Sequence, residues 1–162
     1  MSRKNNVVMK SADTINAKEA ECYLEFNGHR YNCFHFKDLE VTLEIKKAEI
    51  NVLGKSMTGH KMVSQSGKFK GSKLVVESEM IKALKEFKET GAAPTYSIQI
   101  INEDPTSAAG RQEIWLYECM SDSISLAKFN AEGESLEADV EGTFDDWDIP
   151  QAFTPLPGMQ IK

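Results

Sequence analysis

Apolar and polar side chains alternate one for one along much of the chain. Cys22, Leu24 and Phe26 alternate with Glu21, Tyr23, Glu25 and Asn27, the period of a strand with one dry face. Asn27-Gly28 carries the signal of a tight hairpin turn, and 30–36 returns as its second strand. Val41, Leu43 and Ile45 alternate with Glu40, Thr42, Glu44 and Lys46, and β-rich character continues through Ile50, Val52 and Leu53. This predicts a long strand with one wet face. Strand character resumes over 73–77. Further on, Tyr96, Ile98 and Ile100 alternate with Ser97, Gln99 and Ile101, and 112–120, 123–129 and 134–147 read as strands. In the last of these Leu136, Ala138, Val140, Gly142 and Phe144 share a face. Pro105, Ser107 and Gly110 mark 102–111 as a turn or loop.

The period changes in one place only. Met80, Ile81, Leu84 and Phe87 form an apolar stripe at helical spacing, with Ser78 placed to cap the start, Glu79 at the positive end of the dipole and Gly91 past the end. Lys82–Glu86 and Lys85–Glu89 are pairs four residues apart on the wet side, each worth about 0.2–0.5 kcal/mol. A single stripe covers one face or end of a sheet. Seven to nine strands and one helix predict a mainly β protein, an antiparallel sandwich or barrel with a helix attached.

Three segments stand outside this pattern. Residues 1–20 have Val7, Val8, Met9 and Ile15 as their apolar anchors and read as an arm that is mobile unless it docks. Residues 54–73 hold four glycines, five lysines and no acid, and read as an irregular loop. A loop that long in a compact domain is expected to be functional or to order on a partner. Pro150, Pro155 and Pro157 predict an extended C-terminal segment. With 162 residues the chain reads as a single domain that needs no staple to fold.

Composition narrows the chemistry. Nineteen basic against 25 acidic side chains give a net charge of −6, which argues against a general nucleic-acid binder. No apolar run approaches the roughly 20 residues of a membrane span, and the N-terminal residues lack a secretory h-region. The expectation is a soluble cytosolic protein. Cys22, Cys33 and Cys119 are expected as reduced thiols. Cys22 and Cys33 flank the hairpin turn and could face each other across it. A zinc site from Cys22, Cys33 and His35 lacks a fourth ligand and a closely spaced cysteine pair, so no metal is assigned. Asp145, Asp146 and Asp148 around Trp147 lack the ligand spacing of a calcium loop. The chain has no phosphate-binding glycine loop, nucleophile elbow or zincin histidine motif. No enzyme and no cofactor are expected.

Charge, by contrast, is unevenly distributed. Lys55, Lys61, Lys68, Lys70 and Lys73 give 54–73 a charge of +5. From Phe129 through Ile161 there is no Lys or Arg, while Glu132, Glu134, Glu137, Asp139, Glu141, Asp145, Asp146 and Asp148 total −8. The two sets are either unrelated solvated surfaces or complementary patches that mate head to tail between copies, a contact that propagates as a ring or filament.

The run Ile100-Ile-Asn-Glu-Asp-Pro-Thr-Ser-Ala-Ala-Gly-Arg-Gln-Glu-Ile, then Ala127-Lys-Phe-Asn-Ala and Phe144-Asp-Asp-Trp-Asp-Ile-Pro-Gln-Ala-Phe, resembles the tail tube proteins of contractile phage tails. The branch is that of PBSX-like defective prophages and R-type phage-tail bacteriocins. Glu49-Ile-Asn-Val-Leu-Gly-Lys and Gly59-His-Lys are similar to that family too, and the resemblance spans about 21–153.

It implies a small β-barrel or sandwich with one helix, assembled as hexameric rings stacked into a hollow tube inside a contractile sheath. A sheet of each subunit would line the lumen, for which 40–46 is suited, and a long hairpin loop, placed at 54–73, would reach the neighbouring ring. The implied partners are further copies of the chain, the tail sheath, tape measure, baseplate and tail-terminator proteins, and DNA as transient cargo of the lumen. The implied setting is the bacterial cytoplasm during assembly, then a virion tail or released bacteriocin particle. A secretion-system tube or a tail terminator is the related alternative. The expected contact between subunits sets Lys55, Met57, Lys61, Met62, Lys68, Phe69 and Lys70 of one copy against Glu134, Asp139, Asp145, Asp146 and Asp148 of the next.

Overall fold

In a computed structural model, which describes residues 8–160, the alternating segments form antiparallel strands, and the described residues include one α-helix. In chain order these are β1 (Ala20–Phe26), β2 (His29–Asn32), β3 (Phe36–Ile50), β4 (Gly59–Leu74), α1 (Glu79–Thr90), β5 (Tyr96–Glu103), β6 (Arg111–Ser123), β7 (Glu137–Phe144) and β8 (Asp146–Gln151). The chain gathers into two compact units, each discontinuous in sequence. Strands β5, β6 and β8 contribute residues to both.

The first unit comprises residues up to 34, 98–115 and 147 onward. Its strands run in the order β2-β1-β5-β6, with β8 also paired to β6. Asn27 and Gly28 both have positive φ, 51° and 76°, the geometry of the tight turn that joins β1 to β2. Phe26, Cys33, Ile98 and Ile101 are buried here.

The N-terminal arm is tied down from Asp13 onward. Asp104 accepts hydrogen bonds from the Asn16 N–H (2.9 Å), the Thr106 N–H (2.9 Å) and the Thr106 hydroxyl (2.8 Å). Ser107 Oγ donates to the Asp13 carbonyl (2.8 Å), and Asp13 Oδ1 accepts from the Ala108 N–H (3.0 Å). The turn predicted at 102–111 is therefore the dock for the arm. On the C-terminal side, the Thr154 N–H donates to the Ala109 carbonyl (2.8 Å). Residues 1–7 of the arm and 161–162 of the C-terminal segment lie outside the described residues.

The second unit comprises 35–97 and 116–146, with strand order β6-β7-β4-β3. Its core holds Phe69, Tyr96, Leu116, Cys119 and Phe144. Phe69 and Tyr96 meet edge to face at 6.3 Å. Two cross-strand pairs, Gly67 opposite Phe144 and Phe69 opposite Gly142, set each ring over a glycine. A Cβ at either glycine would collide with the ring.

Helix α1 ends as predicted, with Gly91 at φ 79° and its N–H bonded to the Phe87 carbonyl. Its start differs. The Ser78 side chain makes no cap; Glu77 Oε2 accepts the Glu79 N–H at 2.9 Å instead. Ala83 is buried on the helix, while Leu84 and Phe87 stay partly exposed.

Several boundaries differ from the sequence reading, among them the second hairpin strand expected over 30–36, which ends at Asn32. The irregular loop expected over 54–73 is strand β4 from Gly59 onward, leaving only 51–58 as a turn between strands. The strand expected at 73–77 is the end of β4, which stops at Leu74. The strand expected at 123–129 is irregular after Ser123, as its apolar Leu126 and Phe129 find nothing to cover them in this chain. The strand expected over 134–147 begins at Glu137 and breaks at Asp145, and β8 continues through Pro150. Proline is tolerated there because β8 pairs on one side only, with β6.

Candidate assembly surface

Strands β3 and β4 pair along their whole length, from Phe36 opposite Lys73 to Ile50 opposite Gly59. Strand β7 covers β4 only between Gly67 and Leu74. From Ile45 and Gln65 outward the hairpin is therefore a two-stranded ribbon, kinked by a register shift between Lys46 and Lys47. Such a ribbon has no sheet face to bury its apolar side chains. Ile45, Ile50, Val52, Leu53, Met57, Met62 and Val63 are all exposed, Leu53 completely at 102%.

The predicted contact residues fall into three groups. Lys55 and Met57 lie in the turn at the ribbon tip, and Lys61 and Met62 lie on its β4 strand opposite Ala48 and Lys47; all four are exposed. Lys68 and Lys70 lie nearer the sheet and are engaged within the chain. Lys68 Nζ donates to Glu44 Oε1 at 3.0 Å, and Lys70 lies 3.9 Å from Glu40. Phe69 points the other way and is 2% exposed, packed against Tyr96 and Gly142 of its own chain. It is a core residue and not a contact residue, because it alternates with Lys68 and Lys70 on a strand whose inner face is dry.

On the acidic side, Asp139 lies on β7 opposite Ser72 of β4, and its neighbour Glu141 lies opposite Lys70. Two of the eight acids thus lie beside lysines of the same chain, Glu141 opposite Lys70 and Glu137 paired with Lys37 at 2.6 Å. The separation of charge along the sequence is not a separation in space at this point. Glu134 is exposed in the irregular segment between β6 and β7. Asp145 donates its backbone N–H to the Tyr117 carbonyl (3.2 Å), and Asp146 and Asp148 are exposed on β8.

The outer face of the second unit's sheet is polar in rows. Asp38, Ser72 and Asp139 form one row, with Ser72 Oγ donating to Asp38 at 2.8 Å. Glu40, Lys70 and Glu141 form the next, and Thr42, Lys68 and Thr143 the third. With Glu44 added, five carboxylates face two lysines on this surface, so its balance is acidic.

Near the start of α1, Lys73 Nζ donates to Glu77 Oε1 at 2.7 Å. Burial alone would raise the Glu77 carboxyl, but Lys73 and the Glu79 N–H outweigh it and hold it below the ordinary carboxylate value. Burial and the Lys73 charge together lower His35. His35 is placed by this cluster in the second unit, whereas Cys22 and Cys33 belong to the first. Among the described residues no three His, Cys, Asp or Glu side chains are grouped to hold a metal ion.

Comparison with known proteins decides the family. A family model described as phage tail tube protein matches residues 7–151. The chain belongs to the phage tail tube protein family. It is 29% identical over 148 residues to the phage-like element PBSX protein XkdM of Bacillus subtilis strain 168, covering 91% of this chain and 98% of that one. YqbM of the same strain, an uncharacterised protein, is 29% identical over 90% of this chain and 96% of its own length.

Solved structures share the fold at low identity. The anti-feeding prophage tube-terminating cap superposes with a TM-score of 0.66 at 11% identity, covering 94% of this chain and 100% of that one. A chain of the extended sheath–tube complex of the PVC extracellular contractile injection system gives 0.60 at 11% identity, over 81% and 88%. The tail-tube family is structural and not enzymatic, so the chain is a tail-tube-type structural subunit. None of its described helices is long and apolar enough to cross a membrane.

The sequence reading places Ile45, Ile50, Val52 and Leu53 on one long strand with a single wet face and Val63 in an irregular loop, and marks none of the five as an exposed apolar surface. The available signal was length. A strand of fifteen residues is more than twice the length of β1 at seven, so part of it must extend beyond its neighbours.

Proposed function

We propose that the chain is the repeating subunit of the inner tube of a contractile phage tail or phage-tail-like bacteriocin, assembled as hexameric rings stacked around a hollow lumen. The observation that carries this is the β3–β4 ribbon. An isolated two-stranded hairpin is marginal in water, and this one leaves seven apolar side chains uncovered in the single chain. A second copy of the same protein is the occupant: Met57 and Met62 with Lys55 and Lys61 seat on the adjacent subunit near Glu134, Asp145, Asp146 and Asp148. Apolar burial supplies the strength and the charges supply register, since exposed pairs are worth at most about 1 kcal/mol each.

On this reading the acidic outer face of β3, β4 and β7 lines the lumen. Phosphates do not adhere to such a wall, so DNA passes as transient cargo where the particle carries any. Partners are the sheath outside, the tape measure protein inside, and the baseplate and terminator at the ends. Assembly takes place in the bacterial cytoplasm, before the particle is released.

Negative-stain electron microscopy of the purified, concentrated protein tests the proposal. Hollow tubes or stacked sixfold rings support it. Single rings that never stack would reassign the chain as a terminator, and a monomer with its ribbon folded onto its own sheet would overturn the assembly reading.

A further inference from the structure

The hairpin of β1 and β2 brings two cysteines together. The register Tyr23–Asn32, Leu24–Tyr31, Glu25–Arg30 and Phe26–His29 places Cys22 directly opposite Cys33 as the next pair. The Cys33 N–H donates to the Cys22 carbonyl at 2.9 Å, so the ladder extends to this pair and it is of the hydrogen-bonded type. Directly opposed residues in such a pair have Cα atoms about 5.5 Å apart and side chains on the same face. That separation falls within the disulfide range of about 4.4–6.8 Å. The Cys33 side chain is near enough to Cys22 to perturb its thiol. Both cysteines are reduced, Cys22 half-buried and Cys33 buried, on the same face as Leu24 and Phe26.

We propose that Cys22 and Cys33 are a latent disulfide, closed by a small-molecule disulfide such as oxidised glutathione. The more accessible Cys22 thiolate attacks one sulfur of the oxidant, and one glutathione leaves as its thiol. The Cys33 thiolate then attacks Cys22 Sγ in the mixed disulfide and displaces the second glutathione. One S–S bond forms in the protein as one is lost from the oxidant, and the two cysteine protons end on the two glutathiones.

No backbone movement is required beyond rotation about the two side chains. The neighbouring Cys33 side chain and burial keep the Cys22 thiol protonated well above the ordinary range. Closure is accordingly slow, so a chain made in a reducing compartment assembles with free thiols, and the staple forms on longer exposure to oxidant.

The test is prolonged incubation of the full-length native protein with oxidised glutathione at alkaline pH, then denaturation without reductant, alkylation and intact mass measurement. The expected result is that alkylatable thiols fall from three to one, with the chain two hydrogens lighter before alkylation and a single cross-linked peptide joining Cys22 to Cys33. Cys119→Ser is expected to keep the cross-link, and Cys22→Ser and Cys33→Ser each to abolish it. Amide exchange across β1 and β2 is expected to slow several-fold on oxidation, and glutathione reduction to reverse it. Three alkylatable thiols in a chain whose circular dichroism remains native would overturn the proposal. So would a persistent glutathione adduct on Cys22, a link to Cys119, or a cross-link between chains.

Discussion

Gly67 lies beneath the ring of Phe144, its cross-strand partner, in a gap that no Cβ can share. The neighbouring pair repeats the relationship with the strands exchanged, Phe69 of β4 covering Gly142 of β7. A glycine in a strand loses packing and backbone entropy, and an aromatic ring laid across it restores the packing. Gly67→Ala and Gly142→Ala should each destabilise the chain by about 1–3 kcal/mol through overpacking. Chemical denaturation measures this, and an unchanged midpoint in both variants would contradict the packing described. Lys68→Ala on the same strand serves as the control, at about 1 kcal/mol or less.

Those glycines also explain where the sequence was hard to read. Four glycines and five lysines between 54 and 73 carry the composition of a loop, and β-propensity there is low. The strand forms because Phe69 enters the core and because Gly67 makes room for the Phe144 ring contributed from elsewhere in the chain, information absent from any local window. In contrast, Asn27-Gly28, Gly91 and the 21–26 alternation are local signals, and each stands in the structure as read. The residues expected at the contact divide in the same way. Lys55, Met57, Lys61 and Met62 were found as exposed residues by composition. Phe69 does not belong with them, since the alternation that buries it exists only in a strand, and a loop reading of 54–73 hides it.

Asp104 holds the N-terminal arm through the backbone of Asn16. The backbone N–H groups of Thr106 and Asn16 and the Thr106 hydroxyl all stabilise its charged form and hold its carboxyl below the ordinary value of 3.8. With the folded value depressed, this contribution is complete above that ordinary value and is lost as pH falls through the lowered one. Asp104→Asn should therefore release the arm at neutral pH as strong acid does in the wild type. Hydrogen exchange at Asn16, Ser107 and Ala108 should rise, with little change in β3, β4 or β7. Unchanged protection at those three amides would refute the docking role.

His35 and Glu77 set a second, milder pH limb. Burial first and Lys73 second lower His35 from 6.5, so the folded chain releases its proton more readily than the unfolded chain. Stability is then full above about 6.5 and declines as pH falls toward the lowered folded value. Glu77, also depressed, adds its loss below its ordinary 4.5. In His35→Gln the upper limb should flatten while the lower one remains. Glu77→Gln should cost about 1–2 kcal/mol at neutral pH, since it weakens both the pair with Lys73 and the cap on α1. Unfolding free energies from about pH 3 to 8 separate these outcomes; identical upper limbs in wild type and His35→Gln would remove His35 from the account.

The ribbon allows assembly to be separated from folding. Leu53, Met57 and Met62 are exposed in the single chain, so replacing all three with serine should leave its denaturation midpoint nearly unchanged. In a tube each would be buried against the adjacent copy, at about 1.5–3 kcal/mol per side chain, and the loss repeats at every subunit of a ring. Tubes should fail to form or shorten severely. Lys68→Glu should behave in the opposite sense: it sets a negative charge against Glu44 within the chain and lowers monomer stability slightly, up to about 1 kcal/mol, before any contact between copies is involved. Electron microscopy and denaturation on the same samples distinguish the two. Full-length tubes at normal yield from the triple serine variant would show that the ribbon is not what joins the subunits.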